Sequence, residues 1–341
     1  MNKLLAEWAP QWGVMLTWPH AGTDWSDMLT DIEAVYLDLA SAIAARENLL
    51  LVVQDGAHRK HVASLLAARK LPASRIHYVT AASNDTWARD HGPLTVADRS
   101  GALTLMNFVF NGWGNKWPAD QDNAINDSIA GAFNVGMHSR DFVLEGGAVE
   151  TDGLGTLLTT KRCLLAETRN PDLDQAGIEQ VLAQELGLDR VLWLEHGHLE
   201  GDDTDAHIDT LARFASPDHI VFQGCEDPSD SHYQALADMA SELAAFRQRN
   251  GDAYRLSALP LPKPQHDPDT GRRLPASYAN FLIINGAVLL PGYADDNDQR
   301  ARDIMQAAFP DHDIVMIDCR AVIRGFGSLH CLTMQLPAGL R

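Results

Sequence analysis

The stretch Gly325-Phe326-Gly327-Ser328-Leu329-His330-Cys331 puts a thiol where a glycine turn runs into an alternating apolar segment, Leu329 to Leu336. The alternation predicts a strand with Cys331 near its start. Glycines at 325 and 327 allow unusual backbone angles and a close approach of main chain to a ligand. A lone cysteine more often packs in a core than reacts, so its chemistry depends on what else the chain supplies. Gly201-Asp202-Asp203-Thr204-Asp205-Ala206-His207-Ile208-Asp209 crowds four aspartates around one histidine. Crowded like charges need a cation nearby, and a metal, an arginine or a cationic substrate would serve. His207 and Asp209 are two residues apart, so on extended backbone they face the same side. Thr86-Trp87-Ala88-Arg89-Asp90-His91-Gly92-Pro93 adds an aromatic, a cation and a carboxylate in a turn, and Leu144-Glu145-Gly146-Gly147 adds a carboxylate beside two glycines. Taken singly, each of these also reads as an ordinary turn, the first with a surface Arg–Asp pair.

Together they supply a nucleophile (Cys331), a base or acid (His207), carboxylates (Asp90, Glu145, Asp203, Asp209) and aromatic walls (Trp87, Trp113). That set suits attack of a thiolate on the central carbon of a guanidinium. The planar cation offers five N–H donors that forked carboxylates can match. Indole faces can stack on the cation and its alkyl stem. Metal ligation is not predicted. Counted from Asp203, the sixth position of an EF-hand loop would be Ile208 where glycine is needed, and no HExxH or zinc triad is present. A metal-dependent hydrolase and a non-catalytic polyamine-binding protein are the competing classes. Chelator sensitivity would mark the first, and indifference to thiol alkylation the second.

Short strands in pairs alternate with single helices and must carry these residues. Helices are predicted over 27–46, 57–70, 122–133, from Asn170-Pro171 to Leu186, over 231–250 and over 298–309, six in all. Hairpins are predicted at 93–96 with 103–109, at 148–151 with 156–160 around Asp152-Gly153, and at 281–284 with 288–290 around Asn285-Gly286. The proline-rich stretch 260–275 reads as a surface loop or lid. Asp90, Glu145, His207, Asn285 and Cys331 recur at strand ends, 55, 62, 78 and 46 residues apart.

The chain has 341 residues with 46 acidic against 27 basic, a formal charge of −19, and 45% hydrophobic residues. Nucleic acid and anionic membrane are poor partners for such a surface, and the composition allows a sizeable core. No linker divides the chain, so one domain over 1–341 is expected. The cysteines at 163, 225, 319 and 331 show no CxxC pair or zinc spacing; the first three read as structural. No signal-peptide core and no membrane-spanning run are seen, so a reducing, cytoplasmic setting is expected.

The sequence resembles the agmatine deiminase family, within the bacterial peptidylarginine-deiminase-like group of guanidino-modifying enzymes. The matching motifs are Trp87-x-Arg89-Asp90-x-Gly92-Pro93, Phe110-Asn111-Gly112-Trp113-Gly114, Glu145-Gly146-Gly147, Gly201-Asp202-Asp203-Thr204-Asp205-x-His207-x-Asp209, Ala212-Arg213-Phe214, Tyr278-x-Asn280-Phe281 and Gly327-Ser328-Leu329-His330-Cys331. Asn115-Lys116 departs from the glycine many relatives carry after Trp113-Gly114, in a segment that shapes substrate entry. The resemblance implies an α/β pentein fold, a five-bladed propeller of ββαβ modules around a central site, with one of the six helices extra. It implies no cofactor and a covalent amidino-cysteine intermediate on Cys331. In that scheme Asp90 and Asp209 hold the guanidinium, and Asp203 holds the remote part of the substrate. His207 moves the protons, and Glu145 orients His207 or shares the cation. Trp87 and Trp113 form the walls. His330 would point to the opposite strand face and is not the base. The implied partner is a small guanidinium cation, agmatine, with a homodimer left open. Peptidylarginine or free arginine deimination is the alternative.

Overall fold

The computed structural model describes residues 2–341. The chain builds mixed α/β structure in five separate sheets. Four follow one order: an antiparallel hairpin, a helix, then a strand parallel to the hairpin's second strand. Leu94–Ala97 and Leu103–Val109 are followed by helix Asp120–Ala130 and strand Gly136–Val143. Glu150–Thr151 and Thr156–Thr160 lead through Gln175–Leu186 to Arg190–Leu194. Ala212–Ser216 and His219–Gln223 lead through Tyr233–Ala245 to Arg255–Leu259. Leu282–Ile284 and Ala287–Gly292 lead through Asp298–Ala308 to Asp313–Asp318.

The fifth sheet is assembled from both chain ends. The C-terminal strand Thr333–Pro337 pairs antiparallel with Gln11–Thr17, which runs parallel to Asn48–Val53 across helix Leu29–Ala44. Helix Gly56–Ala68 then adds Ile76–Thr80 to the same sheet, and it is the surplus helix. Strand Lys3–Leu4 joins the sheet of Leu94–Ala97. The N-terminal segment therefore spans two sheets and passes close under the Cys331 turn.

Local chemistry explains the element ends. Helix Leu29–Ala44 buries Ile32, Val35, Tyr36, Leu39 and Ile43, the stripe expected of one amphipathic face. Asn48–Val53 is buried on both faces, as its continuous apolar run requires. The Asp55 side chain accepts from the Ala57 and His58 amides and starts the next helix. Gly187 closes Gln175–Leu186 in the left-handed conformation, φ 68°.

Several expectations are corrected. The helix after Asn170 begins at Gln175, capped by Asp174. Asn170 instead pins its loop to both backbone groups of Val143. The helix expected to reach Asn250 ends at Ala245, where Phe246 turns extended. Gly136–Val143 and Arg255–Leu259 are strands without strong apolar alternation, because most of their side chains stay exposed or half-buried. Most important, Cys331 is not on a strand. It sits in a 3-10 turn, His330–Leu332, and pairing starts only at Thr333.

Candidate active site

The Cys331 turn rests on Trp87. A Cβ at Gly327 would overlap the Trp87 indole, and one at Gly325 would overlap Trp25 and crowd Trp87. Neither glycine has positive φ; the left-handed residue is Phe326 between them, φ 70°. The glycines are needed for close packing, not for backbone angle. Trp87 Nε1 donates to Asp85 Oδ2 at 2.8 Å, and the Trp25 ring lies 5.7 Å away.

Asp90 follows in the short helix Ala88–His91 and is buried. Its Oδ1 accepts from the Gly147 amide at 2.9 Å, and its Oδ2 from Trp113 Nε1 at 2.8 Å. Two donors thus fix the carboxylate plane. Burial, with Asp209 and Glu145 nearby, pushes its proton affinity well above the usual carboxylate range. Arg89 turns away from Asp90, to Gln335 Oε1 at 2.6 Å and Glu7 Oε2 at 3.3 Å. The surface Arg–Asp pair that the turn alone suggested does not form.

His207 is wholly buried, and neither ring nitrogen has a hydrogen-bond partner. Nδ1 lies 3.6 Å from Asp90 Oδ1. Burial pushes the ring down to about 3, so it is a neutral base at neutral pH. Glu145 Oε1 accepts from Arg169 Nε at 3.1 Å, leaving Oε2 buried and unpartnered. Glu145, His207 and the Cys163 sulfur present donor atoms within 4.8 Å of one another, so Cys163 backs the site rather than a remote core. Gly147 leaves the room they need: a Cβ there would overlap His207 Nδ1 and crowd Asp90 Oδ1. Gly147→Ala is expected to lower kcat/KM roughly 100-fold, since displacements near 1 Å cost about that much. The measurement is steady-state kinetics, with a melting curve to show that the variant is folded.

Asp209 Oδ2 accepts from His330 Nδ1 at 2.7 Å and lies 3.7 Å from Cys331 Sγ, while Oδ1 is unpartnered. Burial opposes ionisation of Asp209. The His330 bond, with His207 and Arg213, still holds its carboxyl below the usual range. Asn280 Oδ1 lies 3.5 Å from Sγ and takes the His330 amide at 2.9 Å. Burial, then Asp209 and Asp90, push the Cys331 thiol well up. A bound cation is what would bring the thiolate within reach.

The acidic loop is neutralised from within the protein. Arg169 donates to Asp205 and to the Thr204 carbonyl, and Lys116 Nζ reaches Asp205 Oδ1 at 2.8 Å and the Asp203 carbonyl at 2.7 Å. Asp202 staples the loop, with Oδ2 accepting from the Ala206 amide at 2.7 Å. Of the metal, arginine or cationic substrate that the crowding calls for, the arginine is Arg169, and Lys116 adds a second cation that the sequence did not suggest. Asp203 Oδ2 accepts from Trp117 Nε1 at 3.0 Å and faces the cavity. Lys116, the departure from the family pattern, thus ties the entry segment to the acidic loop.

Cys331, Asp90, Asp203, Trp87 and Trp113 line one cavity of about 570 Å³. His207, Glu145 and Asp209 stand behind that lining. Asp85 and Asp122 face the same cavity. Burial, with Asp24 and Asp122 close by, pushes Asp85 up to about 8, and burial pushes Asp122 up to about 7. Asn285 is not part of the site: it is exposed in a hairpin turn and bonds the Gln11 backbone. Asn280, five residues earlier, holds the position at the thiol. Asn280, Arg169, Trp25 and Trp117 went unassigned in the sequence reading. Of these only Asn280 lies in a motif quoted for the family, and Trp117 directly follows Asn115-Lys116.

The fold and this site place the chain among the deiminases that act on guanidino groups. It belongs to the Porphyromonas-type peptidyl-arginine deiminase family, whose model matches residues 3–337. The agmatine deiminase of Pseudomonas fluorescens is 34% identical over 98% of this chain and 95% of its own. A C. jejuni agmatine deiminase, solved as a cysteine-to-serine variant with substrate bound, superposes with TM-score 0.92 at 36% identity, over 100% of this chain and 98% of that one. A Porphyromonas gingivalis protein provisionally described as an arginine deiminase gives 0.93 at 46% identity, over all of both chains. Among the described residues, no helix is long and apolar enough to cross a membrane.

Proposed function

We propose that this protein hydrolyses agmatine to N-carbamoylputrescine and ammonia through an amidino adduct on Cys331. The observation that carries the choice of agmatine is the pairing of the cavity's cations. Arg324 is the one arginine or lysine among the described residues lining the cavity, and it is held by Asp269 at 2.7 Å and Asp267 at 3.3 Å. An arginine substrate would bring an α-carboxylate with no free cation to meet it. Agmatine brings a second positive charge to a wall of carboxylates instead.

The chemistry follows from the geometry. Asp90 and the open Oδ1 of Asp209 take the guanidinium N–H groups, and Trp87 and Trp113 flank the group. As the cation arrives, the Cys331 proton passes to His207, and Sγ bonds to the guanidinium carbon. His207 returns that proton to the leaving nitrogen, and ammonia departs with the C–N electron pair. His207 then takes a proton from water. The resulting hydroxide bonds to the carbon, the C–S electron pair returns to sulfur, the product loses its hydroxyl proton to solvent as the urea, and His207 hands its proton back to the Cys331 thiolate. Glu145, through its unpartnered Oε2, steadies the imidazolium formed in each half. Asp203 and Asp85 face the substrate tail. The five ββαβ sheets are arranged as the five blades of a pentein propeller around this site. Glycines and buried ion pairs hold the constellation in place.

Ammonia release from agmatine, free arginine and an arginine peptide tests the substrate. Agmatine should give the highest kcat/KM by at least tenfold; preference for the peptide or arginine would overturn the choice. A pH effect should accompany it. Asp85 and Asp122 are mostly protonated below about 7 and ionise as pH rises toward 9. The KM for a dication should therefore fall as pH rises from 6 to 9. An uncharged-tail analogue such as butylguanidine should show a smaller change.

A further inference from the structure

His330 stands beside the nucleophile in sequence and, contrary to the strand-alternation expectation, beside it in space. The 3-10 turn swings its ring beneath Asp209. Nδ1 lies 2.7 Å from Asp209 Oδ2, and Nε2 lies 2.7 Å from Glu7 Oε2. Each of these nitrogen–oxygen contacts needs a proton between its atoms. Two protons are therefore shared along a buried line that runs Glu7, His330, Asp209 and ends 3.7 Å from Cys331 Sγ.

Glu7 is firmly placed to anchor that line. Its Oε1 accepts the Ile283 amide at 2.7 Å, and its Oε2 meets Arg213 at 3.0 Å and Arg89 at 3.3 Å. Arg213 is itself buried between Glu7 and Glu150 and stacks on Phe281. Burial opposes the Glu7 charge, yet Arg213, His330 and Arg89 hold its carboxyl well below the usual range. Around His330, burial, Arg213 and Arg89 outweigh Glu7 and Asp209 and hold the ring's proton affinity below its usual range. The groups facing the line are thus Arg89, Arg213, Glu150, His207 and Cys331.

We propose that Glu7 and His330 are positioning residues that fix Asp209 with one oxygen beneath the thiol and the other open to substrate. The His330 N–H occupies Oδ2 and sets the rotamer. It also draws charge from the oxygen nearest the sulfur, which eases formation of the thiolate. Without it, Asp209 can rotate and turn its full negative charge on the sulfur, which opposes the thiolate. The proposal rests on the deiminase reading for the task of Asp209, but its test does not depend on agmatine.

The test uses His330→Leu, which removes both donors, His330→Gln, which keeps one, and Glu7→Gln. The readouts are KM and kcat for agmatine and the pH profile of Cys331 alkylation by iodoacetamide, a neutral reagent that needs no guanidinium site. His330→Leu should raise KM and lower kcat, together cutting kcat/KM by roughly 10- to 100-fold or more, the usual cost of losing a group that orients a site ligand. Its alkylation midpoint should move to higher pH. His330→Gln should recover part of the KM loss, and Glu7→Gln should move the midpoint in the same direction by less. A folded His330→Leu with wild-type KM and an unmoved midpoint overturns the proposal, as does a fall in melting temperature alone. If Glu7→Gln does not fold, the two His330 variants decide. A wild type that ignores agmatine, with the midpoint shift still seen between it and His330→Leu, would end the substrate reading and leave the positioning line standing.

Discussion

Cys331→Ser is expected to cut turnover of agmatine by roughly 10⁵-fold or more, the scale seen when a covalent nucleophile is removed, while agmatine still binds. The reasoning is local. The side chain lies 3.7 Å from Asp209 Oδ2 and 3.5 Å from Asn280 Oδ1, and a hydroxyl can donate to either. The carboxylates that recognise the cation are untouched. What is lost is an acidity that a thiol can reach and an alcohol cannot. Burial and two carboxylates push the thiol up, so it is the substrate's charge that brings it into range. A hydroxyl starts several units higher and does not get there. Calorimetry on the serine variant should give an affinity within a few-fold of the wild-type KM. Mass spectrometry of acid-quenched wild type should show an adduct on Cys331 that the serine variant lacks. Wild-type-like turnover, or binding lost along with turnover, would refute the assignment.

The motifs that carry chemistry were legible because each is local. Trp87 to Gly92, Glu145 to Gly147 and Asp202 to Asp209 are single turns whose composition has no simple core explanation. The hairpins and the six helices were legible from apolar periodicity and turn residues. What remained hidden is partnership across the chain. His330 and Glu7 are 323 positions apart, and they meet because the C-terminal strand pairs with Gln11–Thr17. Arg169 reads as a loop arginine until the acidic loop is folded onto it. The strand-alternation argument for His330 failed for a definable reason. Alternation describes Thr333 onward, but the three preceding residues, His330–Leu332, form a 3-10 turn, where neighbouring side chains need not face opposite ways. In the sequence Asn285 stands at a strand end as Asp90 and Glu145 do, yet it closes a hairpin and ties that hairpin to the Gln11 backbone.

His207→Gln should produce the second largest loss, roughly 10³-fold in kcat within the usual range for a general acid–base group, with KM changed little. The ring makes no hydrogen bond, and although Nδ1 lies 3.6 Å from Asp90 Oδ1, the Asp90 carboxylate that binds the cation is held by the Gly147 amide and Trp113 and keeps its place without the ring. Glutamine fills similar space but cannot carry a proton from sulfur to nitrogen and then take one from water. A second readout has the opposite sign. His207 sits at about 3 in the folded protein, below the 6.5 of an unperturbed histidine. Its contribution to stability is present above 6.5 and is lost as pH falls toward 3, because the unfolded chain binds the proton more readily. Glutamine removes that liability, so the variant should resist acid unfolding better than wild type while being far less active. His91, also held at about 3 by burial, gives the control. It faces Thr17 rather than the cavity, so a His91→Gln variant should gain acid resistance without the matching kinetic loss. A His207 variant that keeps its rate, or loses it together with acid stability, would mean that the ring is packing and not proton transfer.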